Sequence, residues 1–527
     1  MKREEKSEEN VLNKKISRRK ALTTAGKVAI GVVVAGVVAG VGGYYAGSAA
    51  APPATVTKTE TVTKTAAAAT VTETVTAPAT TVTTTVTGPA VTETVTSTVT
   101  RTVTGKPTVV GPPLKFVHWH YRDDIVTSYV KKFEEYYGEK VEEIHLANEN
   151  YGPLIETKFK AGEAIDMHYG NFFMVSRWIW LGWDRDVEAF PEIIQIKAEM
   201  YPSIVEAYST ADGKLAGLPY FWSARSAPVV NDEILEKAGM AGERPGTWDE
   251  LWEMSRKIKK SGAAEYPVMP HWFAAFYGIQ WDFEAELGNA YNDPDLTKTF
   301  IAKDFSPIVG PEVKELLKTW QDVVKEGLVD PAVFAQAGDS DHVSAICTGK
   351  YAFMPTAIYY FKVLNDPAQS RIPLGKANLV PVTKQGWGVI DTGLYCWPKK
   401  VTDEERSQRL IKFLGWRTPW GERLTSTTWA KTDWLGSGYT DTIRRKDVIE
   451  AYRKVLGDRT ESTLKIMDDI AATMTRPWIY KSPMYLEYAH FAFPILSAVA
   501  SGTQAVDEGV ESLRSKLDEL YKKYHAK

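Results

Sequence analysis

Cysteine is nearly missing from this chain: Cys347 and Cys396 are the only two in 527 residues. Two cysteines cannot build a disulfide framework, so oxidative stapling is not how the fold is held. Two buried free thiols are expected; a single bridge between them is the alternative. No N-x-S/T sequon occurs, so N-linked glycosylation is not expected. G-x-S-x-G, H-E-x-x-H and G-x-x-x-x-G-K-[ST] are absent as well, and nothing else points to a catalytic residue or a cofactor. Histidine is scarce, with eight in all. His118 and His120 share a face on an extended strand, but two histidines do not make a site and no third ligand is evident, so no metal is expected. Aromatic residues hardly occur before residue 114, where Tyr44 and Tyr45 stand alone and Trp is missing.

What the chain does have is a three-part order. Residues 1–27 are basic, with Lys14, Lys15, Arg18, Arg19, Lys20 and Lys27 ahead of an apolar stretch at 28–46. That stretch is near the lower length limit for a bilayer-crossing helix, and the positive flank keeps its N-terminus in the cytoplasm. Ser17-Arg18-Arg19 also looks like a twin-arginine export signal, and Ala49 and Ala51 offer an A-x-A cleavage site. No Cys follows the apolar run, which excludes a lipoprotein anchor. A stalk has little purpose on a freely diffusing protein, so an uncleaved anchor is expected, with secretion as the alternative. Residues 47–113 form that stalk, Thr-rich with Pro, reading as a disordered O-glycosylated spacer. Its 50 residues from 55 to 104 would span on the order of 165 Å if extended. The competing reading is a strand array, because alternating Thr and Val favours strands.

Residues 114–527 have the composition of a folded protein, long enough for two domains with large cores. The whole chain carries 63 Lys+Arg and 66 Asp+Glu, of which 13 and 7 fall in residues 1–113, so the tail is +6 and the globule −9. An acidic globule is a poor partner for nucleic acid. Leu114–Trp119 reads as a strand. Asp124–Tyr137 reads as a helix with Ile125, Tyr129, Phe133 and Tyr136 on one face, ended by Gly138. Val141–Leu146 and Pro153–Ala161 repeat the alternation, which predicts a parallel α/β sheet. Pro219 is expected to end a strand. Thr247 and Glu250 form a capping box.

Several segments carry a resemblance. Asp212-Gly213-Lys214 with Gly217-Leu218-Pro219-Tyr220, then Asn231-Asp232 with Ile234-Leu235 and Ala238-Gly239, then Pro245 with Thr247-Trp248-Asp249-Glu250-Leu251, succeed one another in register. Gly349-Lys350-Tyr351-Ala352-Phe353 and Ala500-Ser501-Gly502 follow. This succession resembles the sugar-binding extracellular solute-binding proteins of ABC importers, the family that includes maltose-binding protein. The resemblance implies a periplasmic-binding-protein-like fold of two α/β lobes with hinge-crossing strands. One lobe would hold about 114–222 and 386–436, the other about 223–385 and 437–527, with crossings near Ser223–Val229 and Val380–Trp387. It implies a monomeric, non-catalytic receptor on the extracellular face of the cell membrane. The receptor would close around a carbohydrate, most naturally an oligosaccharide, and deliver it to an ABC permease with its ATPase.

A sugar site needs aromatic platforms and paired hydrogen-bonding side chains. The ligand-binding candidates are Trp119, Tyr121, Tyr169, Asn171, Trp222, Arg225, Trp281, Tyr359 and Trp387. Tyr359 lies seven residues beyond Ala352, where sugar-binding relatives place a stacking aromatic. Two positions depart from the family: Val230 replaces a Tyr, and the acidic residue of the first crossing is missing, with Ala224 or Arg225 near its place. Arg225 could pair with a carboxylate, which keeps an acidic solute open. The rival readings are an anchored polysaccharide-degrading enzyme and a receptor of the same fold for a peptide or a metal.

Overall fold

The computed structural model describes residues 111–147, 150–273, 278–382 and 386–525, and ahead of them the backbone of strands between residues 55 and 102. The expected anchor helix at 28–46 lies outside the described residues. Among those that are described, no helix is long and apolar enough to cross a membrane. Residues Met1–Thr108 and Val109–Lys527 are two separate units.

In the first unit the expectation of a disordered spacer is corrected. Thr55–Lys64 pairs antiparallel with Glu93–Thr102, and Val71–Ala77 pairs with Thr80–Val86. The Thr-rich tract therefore folds back on itself rather than running out at full length. The cause is local: Thr and Val are both β-branched, and their restricted side chains favour the extended backbone.

The second unit begins with strand β1 (Leu114–Trp119), helix α1 (Asp123–Tyr137) and strand β2 (Val141–Leu146). Ile125, Val126, Tyr129, Val130 and Phe133 give α1 its buried face, and Gly138 ends it in a left-handed conformation with its N–H on the Glu134 carbonyl. Helix α2 (Tyr151–Lys160), strand β3 (Met167–Gly170), helix α3 (Phe172–Trp180) and strand β4 (Asp184–Arg185) follow. The chain then runs through strand β5 (Gly217–Arg225) into strand β6 (Ala227–Asn231). Helices α4 (Trp248–Ser261) and α5 (Gly278–Ala290) precede strands β7 (Phe353–Thr356), β8 (Ala377–Leu379) and β9 (Val389–Pro398). Helices α6 (Tyr485–Ala500) and α7 (Val506–His525) close the chain.

The strands form two sheets. The larger has the order β2-β1-β3-β9-β4, with β5 also paired to β9. Its β2, β1 and β3 are parallel, as the βαβ alternation predicts, while β9 runs antiparallel to β3, β4 and β5. The smaller sheet is antiparallel, in the order β7-β6-β8. Only Ser226 separates β5 in one sheet from β6 in the other, and it sits at φ 69°, in the left-handed region that non-glycine residues seldom occupy. The return passage carries Gly388 at φ 78°, where a Cβ would meet the Arg225 carbonyl oxygen at 2.2 Å. Glycine is required there by backbone crowding, not by flexibility.

Two local expectations need adjusting. Pro219 does not end its strand; it lies inside β5, opposite a register shift between Gly393 and Leu394 of β9. Such a bulge relieves the ladder of the bond proline cannot donate. The Thr247 cap holds, with Oγ1 accepting from the Glu250 N–H at 3.2 Å, but Glu250 reaches back to the N–H of Gly246 rather than Thr247. Cys347 and Cys396 are both buried free thiols.

Candidate functional site

The strand pair β5–β9 builds the site. Arg225 stands opposite Val389 and Ser223 opposite Asp391. Facing residues of an antiparallel pair share a side of the sheet, so Arg225, Ser223 and Asp391 point one way and Trp222 and Ala224 the other. Arg225 Nε donates to Asp391 Oδ2 at 2.8 Å, with both side chains more than nine-tenths buried. The guanidinium lies 4.4 Å from the ring centre of Trp281 on α5 and 5.0 Å from that of Tyr359. Burial works against its charge, but Tyr359, Asp391 and Asp339 more than compensate, so Arg225 stays ionised.

Around this pair lies a ring of histidine and tyrosine. His271 stacks beside Trp281 at 5.8 Å and stands 5.0 Å from His342. His342 is fixed by Thr356 Oγ1 at 3.1 Å and Gln336 Oε1 at 3.3 Å. Burial pushes both imidazoles well down, His342 to about 3, so both are neutral at physiological pH. Arg225 Nη1, both His271 ring nitrogens and the hydroxyl of Tyr360 are buried without a hydrogen-bond partner among the described residues. Buried polar atoms are normally paired, and several orphans in one neighbourhood mark a place shaped for a polar guest. The arrangement offers a fixed charge pair, neutral imidazoles and aromatic edges, which suits binding of hydroxyl-bearing groups.

A family model for the bacterial extracellular solute-binding proteins matches residues 128–419, more than half of the chain. The chain belongs to that family. An sn-glycerol-3-phosphate-binding periplasmic protein of Agrobacterium fabrum is 39% identical to this solute-binding protein over 79 residues, which is 14% of this chain and 17% of the relative. The aligned stretch is thus a small part of that relative's length. Among solved structures, the maltose-bound MalE3 of T. maritima superimposes with a TM-score of 0.61 at 18% identity, over 77% of this chain and 99% of its own. The sugar-binding protein MalE of Xanthomonas citri gives 0.62 at 16% identity, over 79% and 98%. These neighbours share the two-lobe α/β fold, and family and fold are those of transport proteins.

The predicted site residues separate into groups. Arg225, Trp281 and Tyr359 meet, as described. Trp119 and Tyr169 belong to a second cluster in the larger sheet: Trp119 contacts Tyr169 at 4.9 Å, and Tyr169 stacks on Tyr220 at 4.5 Å. Tyr121 is 40% exposed and stacks on Trp429 at 5.1 Å. Asn171 is half-buried at the N-cap of α3, where its side chain makes no capping bond. Trp222 and Trp387 lie in the packing. Trp222 donates Nε1 to the Ser437 carbonyl at 2.7 Å, with Gly436 so close that a Cβ there would be 2.3 Å from the ring. Trp387 donates to the Pro381 carbonyl at 3.1 Å and meets Trp248 edge-on. Both indoles are 1% exposed and have their one donor satisfied, so neither presents a face to a ligand.

The sequence reading did not single out Asp391, His271 or His342. A signal existed for Asp391, a lone carboxylate in the otherwise uncharged stretch Val389–Trp397. His271 and His342 carried no local signal.

Proposed function

We propose that this protein is the solute-receiving component of an ABC importer, that it captures a carbohydrate between its lobes, and that it hands the sugar unchanged to a permease. The reading rests on one observation above all: the buried Arg225–Asp391 pair lies against Trp281 and Tyr359 at the passage from one sheet to the other. A sugar presents flat C–H faces and vicinal hydroxyls, which suit aromatic surfaces and a donor–acceptor pair at fixed spacing. The lobes would divide near Ser226 and residues 380–388, and closing them would bury the ligand. The basic N-terminus and the 28–46 segment would hold the receptor at the outer face of the membrane, with the Thr-rich tract between anchor and globule. The neighbours described as maltose-bound and sugar-binding support a sugar over other solutes.

A second reading has its own observation. Arg225 Nη1 is buried without a hydrogen-bond partner among the described residues, which would suit an anionic oxygen, and the curated relatives are described as binding sn-glycerol-3-phosphate. Titration of the full chain with maltose, longer oligosaccharides, a uronic acid and sn-glycerol-3-phosphate, read by tryptophan fluorescence, separates the two. Chromatography of each ligand afterwards reports on chemistry. Saturation by neutral sugars recovered intact is expected. Saturation by the anionic solutes alone would replace sugar with an acidic ligand, and cleaved sugar would turn the receptor into an enzyme.

A further inference from the structure

Away from the Arg225 site, the carboxyl ends of β1 and β2 gather three of the eight histidines. The parallel register sets His118 directly beside His145. Alternation along each strand brings Glu143 to the same side as His145. Glu143 Oε2 lies 3.4 Å from His118 Nε2, and the His118 and His145 ring centres are 4.3 Å apart. One ligating atom from each of His118, Glu143 and His145 falls within 4.8 Å of the other two.

The hydrogen bonds around these rings favour a cation. His118 is fully buried, and its Nδ1 faces the Trp119 carbonyl oxygen at 3.2 Å. A carbonyl can only accept, so Nδ1 carries the proton and Nε2 carries a lone pair in the neutral ring. That lone pair faces the Glu143 carboxylate, also an acceptor, and Nε2 has no hydrogen-bond partner among the described residues. A cation between the unbonded Nε2 and the carboxylate would satisfy both. Their 3.4 Å separation is about the ligand-to-ligand edge of a tetrahedron with roughly 2.0–2.1 Å bonds. Asp123 Oδ2 stands 3.3 Å from His145 Nδ1, which is buried and has no hydrogen-bond partner among the described residues. Glu143 is itself steadied by the Thr127 hydroxyl at 3.1 Å.

We propose that His118, His145 and Glu143 bind a divalent cation of the zinc class, with a solvent molecule in the fourth position. The Trp119 carbonyl, Asp123 and Thr127 orient the three ligands, as outer partners do in protein zinc sites. The ion joins two neighbouring strands and, through Asp123 and its 2.6 Å contact with His120, pins the loop that carries Tyr121. Its role is that of a clip at the strand ends. Of the two other groupings with ligand spacing among the described residues, His120, Asp123 and His145 share His145 with the proposed site, but Asp123 there is already bonded to His120 at 2.6 Å, while His168, Asp184 and Cys396 stand apart. In the last of these, His168 is hydrogen-bonded on both nitrogens, to Asp184 at 2.9 Å and the Tyr169 carbonyl at 2.7 Å, whereas His118, which faces the same two kinds of acceptor, makes no hydrogen bond to Glu143 at 3.4 Å.

The test uses the full chain, stripped with a chelator and titrated with Zn2+ by calorimetry and with Co2+ by visible absorption. One equivalent is expected, with tetrahedral Co2+ bands that Zn2+ displaces and a thermal midpoint that rises with excess Zn2+. His145→Gln should abolish the Co2+ bands. Asp123→Asn, a partly exposed orienting position that leaves the fold intact, should weaken Zn2+ about 10- to 100-fold. His168→Gln should change neither stoichiometry nor spectrum. Absence of saturable binding, unchanged affinity in both His145→Gln and Asp123→Asn, or loss in His168→Gln instead would each overturn the proposal.

Discussion

Two aromatic neighbourhoods in this molecule look alike in composition and differ in what the rings touch. In the larger sheet, Trp119, Tyr151, Tyr169, Tyr220 and Tyr395 rest on one another, ring to ring. At the crossing, Trp281 and Tyr359 rest on a guanidinium that is itself tied to a carboxylate. Rings packed on rings gain chiefly dispersion contacts. The Tyr169 and Tyr220 hydroxyls there are likewise buried without a hydrogen-bond partner among the described residues, so what the crossing has and this cluster lacks is the charged group. Rings packed on a buried charge, ringed by orphaned donors, form an environment that a polar guest completes. The difference lies in the partners of the aromatics, not in their number.

The largest effect that would break this comparison is at Arg225. Arg225→Ala strands Asp391 in the interior and should destabilise the protein by about 3–5 kcal/mol. The ligand-induced fluorescence change should vanish as well. Adding Asp391→Ala should recover most of the stability in chemical denaturation and none of the binding. Trp222→Ala, on the opposite face of the same strand, should lose a similar ~3–5 kcal/mol through its cavity, while the folded fraction binds with unchanged affinity. Equal damage to affinity from both would erase the distinction between the two faces of β5.

Next in size is a pH effect from α5, which carries three buried carboxylates. Burial raises Asp282 to about 7 and Glu284 and Glu286 to about 8, although Trp252, Trp320, Tyr480 and Gln280 donate hydrogen bonds to the two glutamates. Unfolded carboxyls titrate near ~4, so from about pH 4 to about pH 8 the folded state holds more protons. Stability contributed by these groups is therefore present at the acid end of that window and declines as pH rises. The thermal midpoint should be several degrees lower at pH 8 than at pH 5. A flat profile would mean that the three groups ionise without penalty.

Smaller still, Tyr359→Ala should weaken ligand about tenfold, roughly 1.4 kcal/mol, with little change in stability because the ring is partly open. Tyr169→Phe should shift stability by less than ~0.5 kcal/mol and leave binding intact, since its hydroxyl has no hydrogen-bond partner among the described residues.

Much of the fold was legible because its causes are local. The apolar face of α1, the stop at Gly138 and the Thr247 cap each depend on residues within a turn or two. Arg225, Trp281 and Tyr359, singled out on chemistry and, for Tyr359, family position, lie together in the structure. Their partner Asp391 was not singled out, because it reaches Arg225 only through a strand pairing that spans 166 positions of sequence. Trp222 and Trp387 were misjudged for a related reason. Which side of β5 faces the crossing depends on its register with β9, and a shift of one residue exchanges every side chain. The Thr-rich tract shows composition in conflict with itself: Pro and Thr suggest a spacer, while alternating β-branched residues favour pairing, and pairing won.

The single residue between β5 and β6 has a mechanical meaning. On the proposed division into lobes, Ser226 would be one fulcrum of the closing motion, and Arg225 is its immediate neighbour in the chain. A ligand held there works on the shortest possible lever arm. Changes of a few degrees shared between Ser226 and the return passage at 386–388, too small to disturb the Arg225–Asp391 pair, would carry the distant rims of the lobes through several ångströms. In such a machine the grip stays almost still while the jaws travel, and a permease reading the rims would sense an amplified copy of what happened at the pivot.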